Sequence, residues 1–355
     1  MTKILITGIA GFIGSNYAHF VASEHPDYTI IGVDKLSPYS CRENIAALEA
    51  TGQVQFYQAD ISDAQAMGAL FLKERPNYVV NFATESHNDR AISDPTSFVI
   101  SNALGAQTMV EMSHVHGCTR HVHVSTIEVY GEQGPDVPYF TEGSPLQAKT
   151  PYSAAKAAGD LIVRAYMQTY RDMDICITHC ANNYGPYQFP EKLVPLAITN
   201  ILRGKKVRLY GDGLQKRDWL HVVDHCRGID LVLHQTAKPV FDERAATQPE
   251  YLPIYDISAR REMTNKAIIE LVCAALGVRF EEHVEYVADR PNHDRRYLIN
   301  PDKIERTLGF KPSIDFEHGI EATVKWYVDN RDWWQKIISR SGELAVDWSA
   351  FALRR

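Results

Sequence analysis

Through the first half of the chain, short β-branched or apolar runs alternate with longer stretches in which apolar residues recur at helical spacing. The runs are KILIT, YTIIGVD, VQFYQAD, YVVNFA, HVHVS and DICITHC, each about the length of one strand in a sheet buried on both faces. Between them lie FIGSNYAHFVASEH, DAQAMGALFLKER, TSFVISNALGAQTMVEMSHVHG and SAAKAAGDLIVRAYMQTY, which read as helices. This alternation predicts β-α units, hence the α/β class and a doubly wound parallel sheet. From about Asn182 the rhythm breaks, because NNYGPYQFPEKLVP is rich in turn formers and later segments are short. The expected division is a large α/β domain over 1–181 and a smaller C-terminal lobe over 182–355, with the chain crossing back between them.

Composition narrows the function. The 355 residues suffice for two domains of roughly 150 residues each. The formal net charge is −7 with acidic and basic residues interspersed, so no basic stripe exists to hold nucleic acid. The six cysteines form no CxxC pair and fit a reducing, cytoplasmic setting. The opening MTKILITGIAGFIGS imitates a signal peptide, but its glycines fall where a phosphate-binding turn needs them. No apolar run approaches the ~20 residues of a membrane span, so no membrane partner is expected.

Gly8, Gly11 and Gly14 follow the first strand in a GxxGxxG pattern, with Phe12 and Ile13 at the mouth of the next helix. The first glycine allows the tight turn, the second lets backbone approach a pyrophosphate, and the third lets helix and strand pack closely. The helix N-terminus offers unpaired N–H groups to the phosphates. Asp34 ends the second strand, where an acid bonds the adenosine ribose and repels a 2′-phosphate. NAD is therefore favoured over NADP, with the adjacent Lys35 arguing the other way. Asp60 and Ile61, after the third strand, would flank the adenine, and Phe82 and Ala83 would border the cofactor at the fourth. The first domain thus reads as an NAD-binding Rossmann unit.

TPYSAAKAAGD carries Tyr152 and Lys156 four residues apart, on one helical face. A lysine ammonium there favours the phenolate, which can take a hydroxyl proton as hydride leaves the carbon. With the preceding Ser125-Thr126, this order resembles the extended short-chain dehydrogenase/reductases. The resemblance narrows to the dTDP-glucose 4,6-dehydratases along nearly the whole chain. It is carried by NFATESHNDRAI, STIEVYG, TPYSAAKA, NNYGPYQFPEKLVPL, GDGLQKRDWLHVVDH and ADRPNHDRRYLIN.

That resemblance implies a three-stage reaction on a nucleoside-diphosphate hexose: oxidation at C4, proton removal at C5 with loss of water from C6, and return of the hydride to C6. It implies Tyr152 as base, Lys156 as its electrostatic partner and ribose anchor, Thr126 as donor to the 4-oxygen and Glu128 as C5 base. Ser125 and Asn182 would border the cofactor. Ser86, Asn88, Thr126, Asn183, Lys192, Leu193, Arg217 and Arg290 would meet the substrate, whose diphosphate needs cations and amides.

The family usually reads S-T-D-E-V-Y-G, its aspartate protonating the departing hydroxyl; this chain has Ile127 there. General acid help is typically worth about 10²–10⁴ in rate, and a hydrocarbon gives none. Three readings follow. Glu128 performs both duties in a dehydratase; or elimination is absent and the chain is an epimerase or uronate decarboxylase; or it is a non-catalytic nucleotide-sugar-binding protein. Asn88, where the family commonly has an aliphatic residue, is expected to contact the C5 or C6 substituent, the other reading being a loop amide bonded to nearby backbone. YDISARREMTN departs from the family's glycine-rich stretch, which leaves the nucleotide base open.

SHVHGCTRHVHV, with its four histidines and a cysteine, invites a metal reading, but a closed zinc site needs four converging ligands and a helix end runs into a strand here. No metal is expected. The helices after the fourth and fifth strands carry small and apolar residues at helical spacing, and relatives pair them across a dimer; a homodimer is expected.

Overall fold

The computed structural model describes residues 2–134, 136–235, 244, 248, 251–289 and 294–341. Six parallel strands come from the first half: β1 (Lys3–Thr7), β2 (Thr29–Asp34), β3 (Val54–Gln58), β4 (Tyr78–Asn81), β5 (Arg120–Thr126) and β6 (Ile175–Cys180). The second half supplies β7 (Asn182–Tyr184), β8 (Val207–Tyr210), β9 (Lys216–His221), β10 (Ile254–Ile257), β11 (Glu262–Thr264), β12 (Val284–Val287) and β13 (Arg296–Tyr297). The large sheet has seven strands in the order β10-β6-β5-β4-β1-β2-β3, all parallel. Strand order reverses between β1 and β4, and the crevice beyond their carboxyl ends is where such sheets bind ligands. β10 arrives from beyond residue 250, so the chain returns to the large sheet after leaving it.

The first ten helices in chain order are α1 (Phe12–Glu24), α2 (Ala46–Ala50), α3 (Ala64–Glu74), α4 (Asn88–Ser93), α5 (Pro95–Val99), α6 (Gly105–Val115), α7 (Pro151–Thr169), α8 (Leu193–Leu202), α9 (Val222–His234) and α10 (Asn265–Ala275), and four more follow up to Ser341. Residues alternate across the sheet. Ile4 and Ile6 face a core shared with Tyr17 of α1 and Ile229 of α9, while Leu5 faces the opposite core with Phe71 of α3 and Met109 of α6. A third core, around Tyr184, Trp219, Ile268 and Trp334, holds the smaller lobe together.

The stretch expected as one helix over 96–117 is α5, a π-helical turn over Ile100–Leu104, and α6. The reason is contact with α7. A Cβ on Gly159 would lie 2.4 Å from the Asn102 carbonyl oxygen, so the widened turn sits directly against a glycine. Asn102 then turns its amide toward the cleft, donating to the Glu85 carbonyl and accepting from the Glu85 N–H and Thr84. π-turns often mark functional sites, and this one pins a loop of the cleft wall.

Candidate active site

The glycine turn after β1 is as tight as its sequence demands. Gly8 has φ +64°, and a Cβ there would lie 2.9 Å from Ala83 backbone. A Cβ on Gly14 would fall 2.2 Å from the Gly8 carbonyl oxygen. Gly11 caps α1 without a side-chain hydrogen bond, leaving the first N–H groups of the helix to the cleft. At the end of β2, Asp34 accepts from Ala10 N–H at 3.1 Å, Leu36 N–H at 2.8 Å and Ser40 Oγ at 2.8 Å. Burial raises its pKa, and these donors with Lys35 pull it back. A carboxylate has about four acceptor positions, so Asp34 both builds the loop and keeps capacity for a ribose hydroxyl. Lys35 is paired with Glu85 at 2.9 Å.

The residues expected to be catalytic come from the end of β5, the turn after it and α7. Thr126 caps a short 3₁₀ turn, Ile127–Tyr130, its Oγ1 accepting the Glu128 N–H at 3.3 Å. Ile127 is 1% exposed and lies in the main core rather than on the cleft. α7 starts with Pro151 behind a capping box of Thr150 and Ser153, which sets Tyr152 and Lys156 on its buried face. Burial lifts the Tyr152 phenol well above its ordinary value, the Glu128 charge adds to this, and a hydrogen bond with Thr126 opposes it. Burial lowers the Lys156 pKa while Asp160, one turn on, raises it. The Lys156 ammonium donates to the Val124 carbonyl at 2.9 Å, so its direct bond is to β5 and not to Tyr152.

One continuous cleft gathers most of the residues singled out from sequence. Its cofactor side is walled by Gly8, Gly11, Phe12, Ile13, Gly14, Asp34, Lys35, Asp60, Ile61, Phe82 and Ala83. Ser125, Thr126, Tyr152, Lys156, Ser86 and Lys192 line it further along. Lys192 donates to the Ser86 carbonyl at 2.8 Å, joining the N-terminus of α8 to the loop before α4. The wall excludes Asn88, Glu128, Asn182, Asn183, Leu193 and Arg217; Glu128 follows Thr126 on the adjoining 3₁₀ turn, and Asn88 meets it there. Asn182 is a strand residue opposite Trp219, and Leu193 packs on the smaller lobe's core. Asn183 donates to the Ala181 carbonyl, leaving its own side-chain oxygen without a described partner. Arg217 is 4% exposed, donates to the Lys216 and Asp294 carbonyls and lies over the Tyr297 ring. Arg290 lies outside the described residues.

Sequence reasoning missed Tyr39, Arg90 and Glu191. Arg90 stacks its guanidinium 3.1 Å over the Tyr39 ring and bonds Glu191 at 3.3 Å, and all three line the cleft. Arg90 and Glu191 sit inside ESHNDR and PEKL, beside residues that were chosen; Tyr39 carried no signal. In YDISARREMTN, Arg260 holds φ +52°, a conformation that suits glycine, and is anchored by ion pairs to Asp302 and Glu305. His121 and His123 do not converge on a metal: His121 bonds Ser113 at 2.8 Å, and His123 lies 3.3 Å from Asn81 and 3.5 Å from Asp160. Among the described residues, only His25, Asp230 and His234 group at ligand spacing, the Asp230 carboxylate lying 3.0 Å and 3.1 Å from the two imidazoles at the C-terminal ends of α1 and α9.

A parallel sheet with a glycine turn at its reversal, and a buried Tyr-x-x-x-Lys helix beside the strand after it, define an extended short-chain dehydrogenase/reductase. A family model described as GDP-mannose 4,6 dehydratase matches residues 5–323. The dTDP-glucose 4,6-dehydratase of Streptomyces antibioticus is 42% identical, covering 95% of this chain and 96% of that one. That of Escherichia coli K12, dTDP-glucose 4,6-dehydratase 1, is 39% identical over 93% and 94%. The crystal structure of DesIV, the dTDP-glucose 4,6-dehydratase of Streptomyces venezuelae, with NAD and a dTDP analogue bound, superposes with a TM-score of 0.85 at 41% identity, covering 95% of this chain and all of that one. A UDP-glucose 4-epimerase from Thermotoga maritima follows at TM-score 0.82 and 25% identity, covering 93% of this chain and all of that one. The chain belongs to the dTDP-glucose 4,6-dehydratase family.

Proposed function

We propose that the protein is a lyase that uses NAD to convert a nucleoside-diphosphate hexose to its 4-keto-6-deoxy product. The observation that carries this reading is that Thr126 and Tyr152 line the dinucleotide cleft together while Thr126 Oγ1 accepts the Glu128 N–H at 3.3 Å, which sets a hydroxyl base in the cleft and a carbon-acid base on the turn adjoining it. An alcohol dehydrogenase needs only the first; elimination needs both.

The residues fit NAD: the Gly8–Gly14 turn has no room for Cβ atoms, Asp34 keeps an acceptor for ribose, and Lys35 is occupied by Glu85 rather than facing a 2′-phosphate. NAD supplies a hydride acceptor at C4 of the sugar that later returns the hydride to C6. Tyr152 takes the proton of the 4-hydroxyl, the Lys156 ammonium offsetting the burial that disfavours phenolate, and Thr126 donates to the 4-oxygen. The resulting ketone acidifies C5–H, which Glu128 removes. Ile127 has no proton to give, so the protonated Glu128 delivers its proton to the C6 oxygen as the C6–O bond breaks and water leaves.

Asn182 and Ser125 border the cofactor in this reading. Ser86, Asn183, Lys192, Leu193, Arg217 and Arg290 serve the nucleotide-sugar, with residues 1–181 holding NAD and 182–355 mainly the substrate. Thymidine diphosphate is the favoured nucleotide, as in the names of the relatives. Val99, Ile100, Leu104 and Leu161 are exposed apolar residues on α5–α7 and the π-turn, which supports a homodimer through these helices; a monomer in sedimentation at micromolar concentration would rule that out.

The test is incubation with NAD and dTDP-glucose in heavy water, followed by mass spectrometry. Loss of water with one deuteron gained supports the dehydratase. Ile127 and the fold-level likeness to an epimerase favour a second reading, in which deuterium or inversion appears without loss of water.

A further inference from the structure

The two oxygens of the Glu128 carboxylate have different surroundings. Oε2 accepts a hydrogen bond from Asn88 Nδ2 at 2.8 Å, while Oε1 has no hydrogen-bond partner among the described residues. The Asn88 amide is itself oriented. Its Oδ1 accepts from the Thr150 hydroxyl at 2.8 Å, and that hydroxyl already accepts the Ser153 N–H at 3.1 Å. The hydroxyl also lies 2.9 Å from Ser153 Oγ, so the amide is oriented from its other end: a carboxylate can only accept, which turns the NH₂ group toward Glu128 and leaves Oδ1 to the Thr150 hydroxyl. The reverse orientation would set an amide oxygen against a carboxylate.

Asn88 is the first residue of α4, and Thr150 is the N-cap of α7, which carries Tyr152 two residues later. The hydrogen-bond chain Glu128–Asn88–Thr150 thus ties the turn after β5 to the start of the Tyr152 helix. We propose that Asn88 is a positioning residue that anchors Glu128 Oε2 and leaves Oε1 as the single oxygen that exchanges protons with substrate. This gives Asn88 a role toward Glu128 that is separate from the expected contact with the sugar, and it rests on Glu128 being the C5 base. With a hydrocarbon at 127, Oε1 both receives the C5 proton and returns it. The C5–H bond breaks, its electron pair forms the C5=C6 bond conjugated to the ketone, the C6–O bond breaks, and the proton from Oε1 leaves with the hydroxyl as water. An anchored carboxylate keeps one oxygen on the face shared by C5–H and C6–O.

The experiment measures C5 deuterium exchange, kcat and KM with dTDP-glucose for Asn88→Ala, Thr150→Val and Glu128→Gln in the full-length protein, with thermal melts as a check on folding. Asn88→Ala is expected to lose about 10- to 100-fold in C5 exchange and kcat, the range for removing a hydrogen bond to a charged group. KM stays within about twofold, and reduced nicotinamide accumulates because oxidation at C4 outpaces the next step. Thr150→Val, which frees the amide to turn, gives a smaller loss of the same kind. If Asn88→Ala exchanges at the wild-type rate, or loses kcat only in step with a raised KM, the inference is overturned. If Glu128→Gln exchanges normally, the failure lies in the underlying assignment of the base.

Discussion

Asp160→Asn removes the charge behind the catalytic lysine. Asp160 is fully buried, accepts from His179 Nε2 at 2.8 Å and lies 3.5 Å from His123 Nε2. The other ring nitrogen of His179 meets Tyr130 OH at 2.8 Å and Asp256 at 3.1 Å. Burial pushes the His179 pKa down, but the hydrogen bonds and charges of Asp160 and Asp256 outweigh it and bring it up to about 9. Removing one member of a buried ion pair costs about 3–5 kcal/mol. Asp256 stays on the opposite nitrogen, so the lower end, about 3 kcal/mol, is expected. At roughly 2–4 °C per kcal/mol for large domains, the melting temperature falls by about 6 °C or more.

The pH dependence gives an independent signature. A histidine with its folded pKa raised from about 6.5 to about 9 stabilises fully below the lower value and loses that stabilisation as pH rises through the upper one. Glu142, raised to about 7 by burial and the Asp256 charge, also holds extra protons in the folded state, but mostly below that window. Urea unfolding of both proteins between pH 7.5 and 9.5 reads the histidine from the difference in slope, since the buried cysteines, held protonated in the fold, lower stability with rising pH equally in both. Wild-type stability falls across this range and Asp160→Asn is flatter. A variant within about 1 kcal/mol of wild type at pH 7, with the same slope, would refute a charged His179 held by Asp160.

Three further outcomes follow. Gly14→Ala forces a Cβ to 2.2 Å from the Gly8 carbonyl and, at about 1–3 kcal/mol of strain, weakens NAD binding about 10- to 100-fold by fluorescence titration; Gly134→Ala, with nothing within 4 Å, leaves it unchanged. Arg120→Ala strands Asp174, bonded at 2.6 Å and 2.8 Å, and removes the donor to the Val232, Leu233 and Gln235 carbonyls at the end of α9, so the urea midpoint drops by the equivalent of about 3–5 kcal/mol. Tyr152→Phe keeps the ring packing against Phe98 but removes the hydroxyl base, and kcat falls by about 10²–10⁴ with an unchanged melt.

The first-half strands were legible because their runs are short and rich in β-branched and aromatic residues between longer stretches at helical spacing, even at the edge strand β3, where Gln55 and Gln58 are exposed. The cofactor turn was legible because three glycines with an acid after the next strand leave little choice of backbone. The π-turn over Ile100–Leu104 was not legible: apolar periodicity runs through it, and the close packing of Asn102 on Gly159 involves a helix some 55 residues later.

At the site the division is sharper. Residue type and spacing along one element determined the pairing of Tyr152 with Lys156 on α7 and the glycine cradle at α1, since periodicity alone places those groups together. Only the tertiary structure decided that Asn88 bonds Glu128, that Arg217 donates to the Lys216 and Asp294 carbonyls, and that Arg90, Tyr39 and Glu191 line the cleft together. Apart from the bond of Arg217 to its neighbour Lys216, those contacts join residues 40 to about 150 positions apart. They depend on how α4, α7 and α8 pack, and no pattern within one segment encodes a hydrogen bond whose partner belongs to another.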